Sequence, residues 1–256
     1  NNIQKFSFGL GGGVNAIKTD FFVWYLGAYY LTVLGLNPLL TGLALLMALV
    51  MDAISDPLIG TVSDRIRSKF GRRHLLMAFS LFPISLSYLM LFLPDADWAE
   101  NQFFLFAWLS VFAVVTRFSV TLFDIPHRAL AAEIAESYED KASIMSLREG
   151  FQSLIALSHS FIILPFINLD GNDQWFNVGI IGSIIMFVLG LISIIGTTSL
   201  IPDLYKWPET KENDNPFKEI QKQISFVYKN RTIILFLLGS ITIQLAWGLA
   251  NSLTFL

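Results

Sequence analysis

The chain has 256 residues, 54% hydrophobic and 14% charged, with a formal net charge of −3 and a mean hydropathy of +0.59. That balance fits an integral membrane protein rather than a soluble globule; the net charge itself says little about partners, and no nucleic-acid partner is expected. With no Cys there is no disulfide framework, thiol nucleophile or thiolate metal site, and His74, His127 and His159 match no ligand spacing and read as ordinary polar residues.

A bilayer core needs about 20 mostly apolar residues per spanning helix. Such runs predict spans at about 8–34, 39–63, 75–93, 102–125, 143–167 and 176–200, with a seventh beginning near Thr232. Breaker clusters separate them, among them Gly35-Leu36-Asn37-Pro38, Pro94-Asp95-Ala96-Asp97, Asp170-Gly171-Asn172-Asp173 and Ile201-Pro202-Asp203. The first run is too long for a removable signal peptide and lacks a cleavage pattern. Gly11-Gly12-Gly13 inside it is no phosphate loop, since no strand precedes it and no Lys-Ser/Thr follows; it predicts tight packing or flexibility of the first span.

Orientation follows from the basic residues. The 1–2, 3–4 and 5–6 loops carry no Lys or Arg, whereas the 2–3 loop carries Arg65, Arg67, Lys69, Arg72 and Arg73. The 4–5 segment has Arg128 and Lys141, and the 6–7 segment has Lys206, Lys211, Lys218, Lys222, Lys229 and Arg231. The N-terminus is therefore expected on the cytoplasmic side of a cell (inner) membrane. From Pro216 the 6–7 segment reads as an amphipathic interfacial helix, with Phe217, Ile220, Ile224 and Tyr228 on one face. The expected organisation is a bundle over 1–203, a cytoplasmic linker over 204–231 and a partial seventh span over 232–256. Starting at Asn and stopping inside a span, the chain reads as truncated.

Two acids four residues apart, Asp52 and Asp56, share one face of the second span. Ionisable groups at membrane depth are costly and mark function by default. The fourth span brings Thr121 and Asp124 to a similar depth near its inner end. Asp52, Asp56 and Asp124 with the Ser55 and Thr121 hydroxyls make an all-oxygen set suited to a hard cation. The alternative is a shared proton, since neighbouring like charges raise a carboxyl pKa. Two structural readings stand beside these: Asp124, before Ile125-Pro126, can stabilise a broken helix end, and Asp56 can cap around Pro57.

Gly60, Asp64, Arg65, Gly71, Arg72 and Arg73 read as a conformational latch. Gly60 would permit close helix approach, Asp64 would meet a helix terminus or an arginine, and the basic cluster would anchor at anionic headgroups. Lys18, Asp20 and Arg117 also lie at membrane depth; Lys18 and Asp20 face apart and need interhelical partners or a cavity. Arg148, early in the fifth span, is expected either in a cavity or snorkelling to headgroups.

The runs Asp52-Ala53-Ile54-Ser55-Asp56-Pro57-Leu58-Ile59-Gly60, Ser63-Asp64-Arg65, Gly71-Arg72-Arg73 and Asp124-Ile125-Pro126 resemble the glycoside–pentoside–hexuronide:cation symporters, a melibiose-permease-like family of the major facilitator superfamily. The resemblance covers nearly the whole chain. It implies an all-α integral membrane fold of two six-helix bundles, with this chain supplying the N-terminal bundle and the start of helix 7, and the C-terminal half absent. It further implies Na⁺ (or Li⁺ or H⁺) bound at Asp52, Asp56 and Asp124 with Thr121, and contact of Arg148 with the substrate or with the cation-site acids. Two positions depart from the family. The first-span acid that holds sugar hydroxyls aligns with Ala16, and the aromatic residue that stacks on the sugar aligns with Arg128. Lys18, Arg117, Arg128 and Arg148 would instead suit an anionic solute such as a uronide.

The function expected is therefore symport of a sugar or sugar-like solute coupled to Na⁺ or H⁺ by alternating access, by a monomer in the lipid bilayer, with no cofactor and no enzymatic activity. A lysolipid or other organic solute is the alternative cargo, and a non-transporting sensor or scaffold the alternative class. An intramembrane hydrolase fits worst, because no HExxH, GxSxG or Ser/Lys pair is present.

Overall fold

A computed structural model describes residues 2–20, 25–66, 68–94, 96–163, 172–201, 221 and 225–254. The chain divides into two compact units, Asn1–Pro208 and Glu209–Leu256. The first is built from α1 (Asn2–Leu10), α2 (Gly12–Asp20), α3 (Leu26–Ala28), α4 (Pro38–Arg65), α5 (Arg72–Leu91), α6 (Gln102–Ile134), α7 (Tyr138–Ile163) and α8 (Asn172–Thr197). The second contains α9 (Arg231–Thr254). Among the described residues the regular structure is helical, and α4, α5, α6 and the Trp175–Leu200 segment are long and apolar enough to cross a membrane.

Local chemistry sets the ends. Asn37 caps α4 by accepting from the Leu39 amide at 2.9 Å, with Pro38 in the first turn. Asn101 caps α6 through the Phe104 amide at 3.0 Å. Gly71 opens α5 at φ +82°, a left-handed conformation that a side chain would strain. Pro57, Pro83 and Pro126 lie inside α4, α5 and α6, as membrane helices tolerate.

Two predicted elements differ from the structure. The first span is not continuous: it turns at Gly11, where the Gly11 amide bonds the Phe8 carbonyl at 3.0 Å, and it becomes π-helical over Tyr29–Val33. The fourth span does not stop at Ile125; α6 continues through Pro126 to Ile134. Packing decides the outcome there. Leu130 and Ala131 are fully buried against Phe8 and Ile144, and their burial outweighs the proline penalty. Asp124 is thus ten residues from the end of α6, about 15 Å along the axis, and does not stabilise a broken terminus.

Helices α5 and α6 pack along their length, α4 lies on α6, α8 lies on α5, and α1 and α2 insert against α7 and α8. The glycine run makes that insertion possible. A Cβ on Gly12 would lie 2.7 Å from the Arg148 carbonyl oxygen, and one on Gly13 would lie 2.5 Å from Ile155 Cδ1. Gly60 has no such role: a Cβ there would meet only Ile125 Cγ2 among the described residues, at an ordinary 3.8 Å. The main apolar core runs from Val14 and Ile17 through Met77, Leu81 and Phe123 to Tyr29, Phe92 and Trp175, where the Tyr29 and Trp175 rings stack at 4.9 Å. Most of the predicted amphipathic helix, including Phe217, Ile220 and Ile224, lies outside the described residues; Tyr228 is described and exposed.

Candidate functional site

Positions 117, 121, 124 and 128 recur at helical spacing, so α6 presents Arg117, Thr121, Asp124 and Arg128 along one face. The two acids of α4 meet the upper half of that stripe. Arg117 Nη1 donates to Asp52 Oδ2 at 2.5 Å, and Thr121 Oγ1 donates to Asp56 Oδ1 at 3.0 Å. Lys18 Nζ of α2 reaches the same Asp52 oxygen at 3.7 Å, the interhelical partner its depth requires. The second Asp52 oxygen is buried and has no hydrogen-bond partner among the described residues.

The lower half centres on Asp124, which is buried. Arg148 of α7 donates through Nη2 to Asp124 Oδ1, and Arg128 Nε donates to Oδ2 at 2.7 Å. Arg148 is fully buried, and neither snorkels nor enters an open cavity. Its Nη1 donates to Glu149 Oε1 at 2.5 Å and to Gln152 Oε1 at 3.4 Å. Its Nε donates to His127 Nδ1 at 3.4 Å.

His127 is a neighbour of this cluster that the sequence alone marks as an ordinary polar residue. It is fully buried, stacked on Phe8 at 4.1 Å, and its Nε2 bonds the Phe8 carbonyl at 3.0 Å. That carbonyl can only accept, so Nε2 carries the proton and Nδ1 is left to accept from Arg148. The signal was present in its spacing, three residues after Asp124 on the same helix, and not in any ligand motif.

The acids are partnered separately. Asp52 faces Arg117 and Lys18, Asp124 faces Arg148 and Arg128, and Asp56 has a hydroxyl partner. Among the described residues no three His, Asp or Glu side chains are grouped closely enough to hold one metal ion. Ser55 is buried, and its hydroxyl donates to the Asp52 backbone carbonyl at 3.4 Å rather than joining the acids. The Asp20 side chain lies outside the described residues.

At the end of the bundle where α4 stops and α5 starts, Arg73 is buried and donates to Ser63 at 2.6 Å, Asp64 at 2.5 Å and Glu133 at 2.9 Å. Arg72 joins it on Glu133 at 2.5 Å. Both arginines therefore pair with protein acids. Arg65 is half-buried, and Arg67 lies outside the described residues. Glu133, in the part of α6 beyond the predicted span, ties α5 to α6. Glu133→Gln is expected to lower stability by about 1–3 kcal/mol, because hydrogen bonds to a charged acceptor are lost while Arg73 stays buried; thermal unfolding of the purified full-length protein measures this. Nearby, Lys5 of α1 pairs with Asp140 in the first turn of α7, and the hydrogen bond from its ammonium holds that carboxyl below the usual carboxylate range.

Residues 7–256 match the family described as MFS/sugar transport protein. An uncharacterized symporter of Synechocystis, sll1374, is 29% identical over 71% of this chain and 34% of its own length. A glucuronide carrier protein homolog of Escherichia coli is 23% identical over 72% of this chain and 40% of its own. The sodium-dependent lysophosphatidylcholine symporter 1 of Gallus gallus is 26% identical over 57% of this chain and 27% of its own. The chain thus spans about a third of the length of these curated relatives. With the site set inside apolar helices and this match over nearly all residues, the chain belongs to the MFS/sugar transport protein family, multi-pass membrane transporters rather than enzymes.

Proposed function

We propose that the full-length protein carries out symport of an anionic, sugar-like solute of the uronide class, coupled to Na⁺ or H⁺. It would act as a monomer in the inner cell membrane with its N-terminus cytoplasmic, and alternating access would move the site between the two sides. The observation that carries the reading is the stripe on α6. Arg128, paired with Asp124 yet 45% exposed, leaves part of its guanidinium fork open, and such a fork suits a carboxylate. By the resemblance, this is where neutral-sugar members place an aromatic platform. Asp56, which accepts a hydrogen bond from the uncharged Thr121 hydroxyl, is the acid best placed to take the coupling ion. The Arg73–Asp64–Glu133 cluster, with Arg65, Gly71 and Arg72, would hold one gating state.

A zwitterionic lysolipid is the second cargo to consider. It is favoured by the relative named for lysophosphatidylcholine and by the exposed apolar face of α4 at Leu43, Met47, Val50 and Ile54. Uptake into proteoliposomes of a panel of neutral glycosides, uronides and lysolipids, with and without a cation gradient, separates the two. Gradient-driven uptake is expected for uronides, and Asp56→Asn should reduce it about tenfold or more, equivalent to the loss of one charge-assisted contact. Preferential lysolipid uptake would select the second cargo. No uptake of any solute would leave a sensor or scaffold.

A further inference from the structure

We infer that Arg117, assisted by Lys18, is a resident counter-ion that fills the place of a coupling cation at Asp52. The inference rests on the symport reading for its context and narrows where the external cation can bind. Arg117 comes from α6 and Lys18 from α2, and both converge on one oxygen, Asp52 Oδ2, at 2.5 Å and 3.7 Å. All three side chains are largely buried, with exposures of 13% for Arg117, 13% for Lys18 and 21% for Asp52. A mobile cation approaching Asp52 meets two fixed positive charges within a few ångströms. At an effective dielectric of about 20, one such charge at about 4 Å repels it by roughly 4 kcal/mol. Metal ligation by Asp52 is therefore closed, and the arginine supplies the charge compensation that a bound ion would otherwise give.

Asp124 is balanced in the same way by Arg148 and Arg128. Asp56 differs, since its hydrogen bond comes from the Thr121 hydroxyl and brings no charge. The external cation is left with the Asp56–Thr121 pair. Arg117 thus sets where the ion binds without touching the ion: it is a positioning residue. Removing it would open Asp52, whose buried Oδ1 has no hydrogen-bond partner among the described residues and would serve as a ready ligand.

The test is equilibrium binding of radiolabelled Na⁺ to the purified full-length protein in the absence of any solute. Arg117→Gln is expected to bind Na⁺ about tenfold more tightly than the wild type, or better. Arg117→Lys, which keeps the charge, should return the affinity to the wild-type value. Lys18→Gln should shift it in the same direction as Arg117→Gln but less. The charge-balanced double variant Asp52→Asn/Arg117→Gln guards against a folding failure of the single variants, and it should bind Na⁺ as the wild type does. An unchanged affinity in folded Arg117→Gln would overturn the inference. So would the double variant losing binding that the wild type has, because Asp52 would then be a native ligand. Because no solute enters these measurements, a failure of the symport reading, seen as no uptake of any solute, is recorded separately.

Discussion

Arg148→Ala is expected to destabilise the full-length protein by about 3–5 kcal/mol, the cost of leaving a buried charge without its partner. Arg148 has no exposed surface, and four groups depend on it: Asp124, Glu149, Gln152 and His127. Its loss leaves Asp124 buried with Arg128 alone, and leaves His127 Nδ1 without a donor. Thermal unfolding of the purified protein reads the effect directly. The double variant Arg148→Ala/Asp124→Asn should recover part of the loss, since it removes the orphaned carboxylate together with its partner. A double-mutant cycle then gives the coupling energy of the pair. If Arg148→Ala unfolds at the wild-type temperature, the guanidinium is not the tie between α6 and α7 that its contacts describe.

Much of this arrangement was legible in the sequence, for reasons that differ by residue. Asp52, Asp56, Thr121 and Asp124 announced themselves because an acid or a repeated polar spacing stands out in an apolar helix. The starts of α4 and α6 were legible because Asn37, Pro38 and Asn101 carry capping chemistry in the residues themselves. What could not be read was anything decided by a second element. Whether Arg148 reaches lipid or an acid depends on α6 standing beside α7. Whether α6 survives Pro126 depends on Phe8 and Ile144 covering Leu130 and Ala131. His127 looked ordinary because its importance is entirely in what surrounds it, a carbonyl from α1 on one nitrogen and a guanidinium from α7 on the other. The π-helical turn at Tyr29–Val33 likewise leaves no pattern in a run of aromatic and aliphatic residues.

The glycine run completes the same junction from the other side, and substitution there tests it sterically. Gly12→Val is expected to cost about 3 kcal/mol, at the upper end of ordinary overpacking. The added Cβ would stand 2.7 Å from the Arg148 carbonyl oxygen and 3.0 Å from its Cγ. The nearest atom is backbone in the middle of α7, so it cannot swing aside as a side chain would. Relief must come from moving α2 off α7, and that movement carries Lys18 with it. Gly13→Ala is expected to cost less, because the atoms it meets are the mobile ends of Ile155 and Leu189. Gly150→Ala, exposed on α7 with nothing within 4 Å of the new methyl, should instead stabilise by about 0.5–1 kcal/mol through helix propensity. Unfolding temperatures in the order Gly150→Ala, wild type, Gly13→Ala, Gly12→Val would establish that α2 is held against the backbone of α7 at Arg148. Equal temperatures for the Gly12 and Gly13 variants would mean the junction yields, and that the site's geometry is set from α4 and α6 instead.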